Sequence, residues 1–215
     1  MANPTIEELQ NPEYFEQIAE LKHTNIKAFV LNQFLKKNKL SQWYMYYQMI
    51  MITLGIFTLI WTGLLFFRGH RLPLIYSISA LIFCFSLLIP VHELLHGLAL
   101  KLTGAKKVHI GACLSKFMFY AEADKHVLNR QQFALVALTP LVLVKLTSII
   151  LFFVYLGNPI LYAMLMIMST HSLFCAGDIG LLSVFFQYKT DDIFTFDVRK
   201  EKKSFYYRRI GIISF

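Results

Sequence analysis

Polar and apolar residues fall along this chain in long blocks. Met1 to Trp43 is polar, and four apolar runs follow: Tyr44 to Phe67, Leu72 to Val91, Phe133 to Leu156 and Ile160 to Gln187. Tyr188 to Phe215 is polar and basic again. Each run is long enough to cross a hydrocarbon core of about 30 Å, so the pattern predicts four transmembrane helices. Short breaks at Arg68-Gly69-His70-Arg71 and Gly157-Asn158-Pro159 join them in pairs. The second helix continues to about Thr103, where Gly104 stops it, and Pro90 is placed to kink it. In the first polar block, Thr5-Ile6-Glu7-Glu8 has the form of a capping box. After Pro12, the positions Phe15, Ile18, Leu21, Ile26, Phe29, Val30 and Phe34 recur at near-helical spacing, which predicts one amphipathic helix ending in Lys36, Lys37 and Lys39. Between spans two and three, Lys106 to Ile110 and Lys116 to Tyr120 are β-prone runs around a Gly111 to Ser115 break, which reads as a hairpin. The expected fold is an all-α polytopic membrane protein with four transmembrane helices, an N-terminal amphipathic helix and a small cytoplasmic β-hairpin. Its expected parts are an amphipathic segment at 1–43, a membrane domain at 44–187 with its core at 72–187, and a basic tail at 188–215.

Composition agrees with a membrane location and adds an orientation. At 56% apolar and 16% charged, the 215 residues are too apolar for an ordinary soluble domain. A net charge of +8 could signal nucleic acid, but its placement argues otherwise. Five Lys or Arg precede span one, six lie between Lys101 and Arg130 and seven in the tail, against two in the first turn and none in the second. By the positive-inside rule, both termini and the hairpin then face the cytoplasm of a multi-pass protein in the cell membrane. Cys84, Cys113 and Cys175 are widely spaced and read as small packing residues. The first apolar run lacks a cleavage pattern and is expected to stay as an anchor.

The chemistry sits at the end of span two, in Pro90-Val91-His92-Glu93-Leu94-Leu95-His96-Gly97. Four residues apart on a helix, His92 and His96 leave the same face about one turn from each other and can share a metal ion, with Glu93 as the general base. Depth then selects a third ligand. The histidines lie about 30 to 36 Å along span two and Asp178 about 27 Å along span four, both counted from the outer face. Glu93 and Asp178 are the only acidic residues in the four apolar segments, and a carboxylate there needs a cation to offset its desolvation. The expected zinc ligands are therefore His92, His96 and Asp178, with the fourth position left for water. Glu122 in the hairpin is a rival, set aside as a solvated loop charge. His171 lies two turns before Asp178 and about 10 Å higher, so both can reach one ion only if the helix breaks at Gly177. It is assigned instead to a supporting or oxyanion-stabilising role beside Glu93. A competing reading pairs Asp178 with Lys145 of span three.

These residues resemble a known group. A His-Glu-x-x-His helix crossing the membrane, a cytoplasmic hairpin, a second span and a span carrying an aspartate are arranged as in the site-2 protease clan of intramembrane metalloproteases. More closely, His92 to Gly97, Ala137-Leu138-Thr139-Pro140, and His171-Ser172-Leu173-Phe174-Cys175-Ala176-Gly177-Asp178 are similar to the small bacterial zincin peptidases related to that clan. The resemblance covers about Leu72 to Gln187 and implies His92, His96 and Asp178 as zinc ligands and Glu93 as catalytic base. One departure is local: the site-2 proteases usually place glycine after the aspartate, whereas here Gly177 precedes it and Ile179 follows. The expected activity is zinc-dependent hydrolysis of a membrane protein or peptide near the cytoplasmic face of the bilayer, with no role in nucleic-acid binding. An inactive scaffold or regulator of the same fold and a small ion- or proton-coupled transporter are the alternatives.

Overall fold

The computed structural model describes residues 3–36, 38–113, 118–188 and 192–210. Lys37 of the basic cluster, Leu114 and Ser115 of the expected break and Lys116 and Phe117 of the second β-prone run lie outside the described residues, as do the side chain of Cys113 and the last five residues of the tail. Thr5 caps α1 (Ile6–Leu9) reciprocally: its side chain accepts from the Glu8 backbone N–H at 3.2 Å, and Glu8 accepts from the Thr5 N–H at 2.7 Å. The single amphipathic helix expected after Pro12 is corrected. Residues Phe15–Lys22 form a strand, β1, and only Ile26–Leu35 form a helix, α2. The physical reason is a β-bulge between Gln17 and Ala19. It inserts one extra residue into a period of two, so Phe15, Ile18 and Leu21 imitate helical spacing while lying in a strand.

The apolar blocks are helices with their apolar sides turned outward. In α3 (Lys39–Phe67) the buried positions are Ser41, Tyr44, Gly55, Thr58 and Thr62, while Ile50, Phe57, Ile60 and Leu64 are exposed. Small and hydroxylated residues inside and aliphatic ones outside are the arrangement expected of helices packing in lipid. The hydroxyls of Thr58 and Thr62 donate to the carbonyls of Leu54 and Thr58, both at 2.8 Å, which satisfies them within the helix. Span two is one 31-residue stretch, Leu72–Leu102. It comprises α4 (Leu72–Phe83), a π-turn at Cys84–Leu88 and α5 (Ile89–Leu102). Pro90 has no N–H for the Ser86 carbonyl and would clash with it, and the wide turn accommodates both. A row of residues four apart drifts by about 40° per step on a regular α-helix. The extra residue absorbed here keeps Cys84, Leu88, His92 and His96 on one buried face. Gly104, at φ +92°, ends the run.

The hairpin is β2 (His109–Cys113) paired antiparallel with β3 (Met118–Glu122). Gly97 lets it lie against α5: a Cβ there would stand 3.3 Å from Ile110 Cδ1 and 3.6 Å from Val108 Cγ1. A two-residue strand, β4 (Leu128–Asn129), leads into α6 (Arg130–Val154), which Asn129 and Gln132 cap reciprocally. The fourth apolar block is broken. Its halves, α7 (Leu161–Phe174) and α8 (Ala176–Leu182) with the short turn to Phe186, meet at Cys175 with a bend of 42°. Among the described residues, three helices are long and apolar enough to cross a membrane, or four if the bent pair is one span.

The basic tail is also structured, which corrects the all-α expectation. Strands β5 (Ile193–Val198) and β6 (Lys203–Arg209) join β1 and β4 in an antiparallel sheet of order β1-β6-β5-β4. Both faces are covered. Ile193 and Tyr206 pack on Ala137, Leu182 and Phe185 at the ends of α6 and α8, while Phe194, Phe196 and Tyr207 pack on Leu9 and Phe15. Among the described residues the protein is thus mostly helical, with two small antiparallel sheets at the end of the helices that carries the histidines.

Candidate metal centre

Three elements bring four side chains together. On α5, His92 Nε2 and His96 Nε2 stand 3.0 Å apart. From α8, Asp178 places Oδ2 3.2 Å from His92 Nε2 and Oδ1 3.2 Å from His96 Nε2. From α7, His171 Nε2 lies 3.0 Å from His92 Nδ1. The 42° break at Cys175 makes this convergence possible. A straight helix would keep His171 and Asp178 two turns apart in height, and the bend delivers each to a different side of His92. The break comes two residues before Gly177, at the residue whose thiol donates to the His171 carbonyl at 3.4 Å.

Hydrogen bonding fixes what the ring nitrogens can do. His96 Nδ1 lies 2.9 Å from the Val136 carbonyl of α6. A carbonyl only accepts, so Nδ1 carries the proton, and in the neutral ring Nε2 is left with a bare lone pair. That lone pair faces Asp178 Oδ1, while Oδ2 faces His92 Nε2. Two acceptors 3.2 Å apart in a buried place repel unless a proton or a cation lies between them. Their spacings suit one: four ligands about 2.0 Å from zinc define tetrahedron edges of about 3.3 Å. His92, His96 and Asp178 thus fit a zinc ion by donor type, spacing and burial. His171 stands behind His92 and is fully buried, where its contact is with the histidine ring.

The other candidates have partners of their own. Glu93 is half-buried on the hairpin side of α5, where its carboxylate accepts from the Ala121 backbone N–H of β3. Glu122 is buried, which corrects its reading as a solvated loop charge. It pairs with Arg199 Nε at 2.9 Å, so the tail hairpin engages it. Burial pushes its carboxyl up from the ordinary glutamate value, with Asp197 adding to the rise and His23, Arg199 and His109 opposing it. Lys145 donates to the Met168 carbonyl, lies 3.0 Å from Met51 Sδ and covers the Tyr47 ring at 5.3 Å. The lysine is therefore held by a backbone carbonyl, a thioether and an aromatic face, while the Asp178 oxygens face the histidines.

Three contributors had little or no sequence signal. The Val136 carbonyl and the Ala121 N–H are backbone groups, which any residue supplies. Cys175 had one, its position four residues after His171 on a shared helix face.

No curated protein and no solved structure matches the chain. Residues 85–193, from the π-turn through both halves of the site to the first residue of β5, match the model of the family described as "putative zincin peptidase", and the chain belongs to that family.

Proposed function

We propose that this protein is a zinc-dependent metalloendopeptidase of the membrane, acting on a membrane-associated protein or peptide near the cytoplasmic face. The convergence of His92, His96 and Asp178, with each carboxylate oxygen 3.2 Å from a histidine Nε2, carries the reading. Zinc bound there would supply Lewis acidity, polarising a scissile carbonyl and acidifying the attacking water. Glu93, one residue from His92 and held by the Ala121 N–H, accepts a proton from that water and returns it to the leaving amine. Val136 and His171 hold the two imidazoles in orientation through their outer nitrogens. His171 is on this reading a positioning residue.

Two features support placing both termini and the hairpin in the cytoplasm. The basic residues concentrate there, and one sheet combines strands from the N-terminal segment, the entry to α6 and the tail. A single hydrogen-bonded sheet keeps its strands on one side of a bilayer.

The test combines metal content with cleavage. Wild type and Glu93→Ala should each purify with about one zinc per chain, and His96→Ala with none. Comparative proteomics of membrane fractions should then show fragments in the wild type that are missing in Glu93→Ala. Equal zinc with identical proteomes would favour the scaffold, and metal-free wild type would end the hydrolase reading.

A further inference from the structure

His92 has two sides. Its Nε2 faces His96 and Asp178, and its Nδ1 faces a second set of donors that the proposed hydrolysis leaves partly unused. On that side His171 Nε2 lies 3.0 Å away, and the Cys175 thiol lies 3.8 Å from His171 Nδ1 and 4.0 Å from its Nε2. The three ligand atoms of His92, His171 and Cys175 all lie within 4.8 Å of one another, and all three residues are buried. The bend at Cys175 produces this second cluster together with the first, because it ends α7 with the thiol turned back over His171.

We infer that His92 Nδ1, His171 and Cys175 form a second metal site, sharing the His92 ring with the first and selecting a thiophilic divalent cation such as Cd²⁺ or excess Zn²⁺. This rests on the reading of His92, His96 and Asp178 as the first site. Thiolate is the softest ligand in the region and sets the preference. Loading releases the Cys175 thiol proton and the His92 Nδ1 proton to solvent. The incoming dication thus meets two new anionic ligands and adds no net charge to a buried place, where an uncompensated charge is costly. Coordination replaces the hydrogen bond between His92 and His171, so the second ion displaces the contact that orients a first-site ligand. The site fills only after the first and acts as a brake when thiophilic metal is in excess.

The test uses the full chain in detergent, stripped of metal by chelation and carrying Cys84→Ser and Cys113→Ser, so that Cys175 is its remaining thiol. It is titrated with Cd²⁺ while bound metal and the thiolate-to-cadmium charge-transfer absorption are followed. The first equivalent should bind without the absorption and the second should bring it in. Adding Cys175→Ser should abolish the absorption and the second equivalent and keep the first, which also reports that the variant is folded. One equivalent bound and no absorption at any excess would overturn the second site and leave the first standing. Absorption arriving with the first equivalent and surviving Asp178→Ala would show one ion held by His92, His171 and Cys175, overturning both assignments. Failure of any cadmium to bind would also sink both.

Discussion

The residue whose contacts most constrain the site is His96. Its Nδ1 meets a carbonyl, which fixes the proton on that nitrogen and leaves Nε2 to face a carboxylate. The motif supplies the two imidazoles, and the partner of each ring's outer nitrogen decides which lone pair is offered to a metal. For His92 that partner is His171. Replacing it with phenylalanine should weaken metal binding by about 10- to 100-fold, read by competition with a chelator, while Glu93→Gln should leave metal affinity unchanged. Equal losses in the two variants would mean that His171 acts through folding alone. His92, Glu93 and His96 were legible in the sequence because four-residue spacing on a helix places side chains in a predictable way. Asp178 was legible because an acid in an apolar span needs a partner. The Val136 carbonyl and the Ala121 N–H were not, since side-chain identity does not encode where a backbone group points.

At the scale of elements, two helix irregularities make the site, and they differ in how they are encoded. The π-turn before Pro90 follows from proline chemistry, which the sequence displays. The bend at Cys175 carries no proline, and packing positions its second half. There α8 lies so close to α2 that a Cβ on Gly180 would stand 2.6 Å from Val30 Cγ1. Valine is stiff at χ1 and cannot swing aside cheaply. Gly180→Ala should destabilise the protein by about 1–3 kcal/mol, and adding Val30→Ala should restore most of the loss, as read by thermal unfolding in detergent. An unchanged melting temperature in the single variant would show that α2 does not brace α8. The strand at Phe15–Lys22 carries helix-like spacing in the sequence because the bulge at Ile18 disguises its period. The strands at Ile193–Val198 and Lys203–Arg209 are masked in the sequence by the basic residues around them, which give the tail the look of a charged extension.

At the scale of the whole molecule, the two ends of the chain meet in one sheet that seats Ile193 and Tyr206 on the ends of α6 and α8. On the proposed orientation, impermeant maleimide should label Lys200→Cys only after the cytoplasmic side is opened, and Asn158→Cys from the outside without opening. The reverse pattern would invert the topology. The carboxyls of Glu122 and Asp197 at this sheet should give it an acid-favoured stability. Burial raises the carboxyls of both Glu122 and Asp197, so the folded state holds their protons more tightly than the unfolded chain. Their contribution is full below the ordinary carboxylate values and is lost as pH rises through the raised ones. Melting temperature should accordingly decline across that window, and Glu122→Gln should flatten the decline. A variant that keeps the wild-type slope would show Glu122 to be satisfied by Arg199 alone.

The sequence by itself determined the apolar blocks long enough to cross a membrane, the histidine pair with Glu93 beside it, and the acid that faces them, because each follows from local periodicity or from the cost of a charge in an apolar run. Only the tertiary structure decided that the fourth block bends, that His171 stands behind His92 and not beside Asp178, and that the termini close into a sheet. Those outcomes depend on contacts between residues far apart in the chain, where close packing and backbone hydrogen bonds outweigh local spacing.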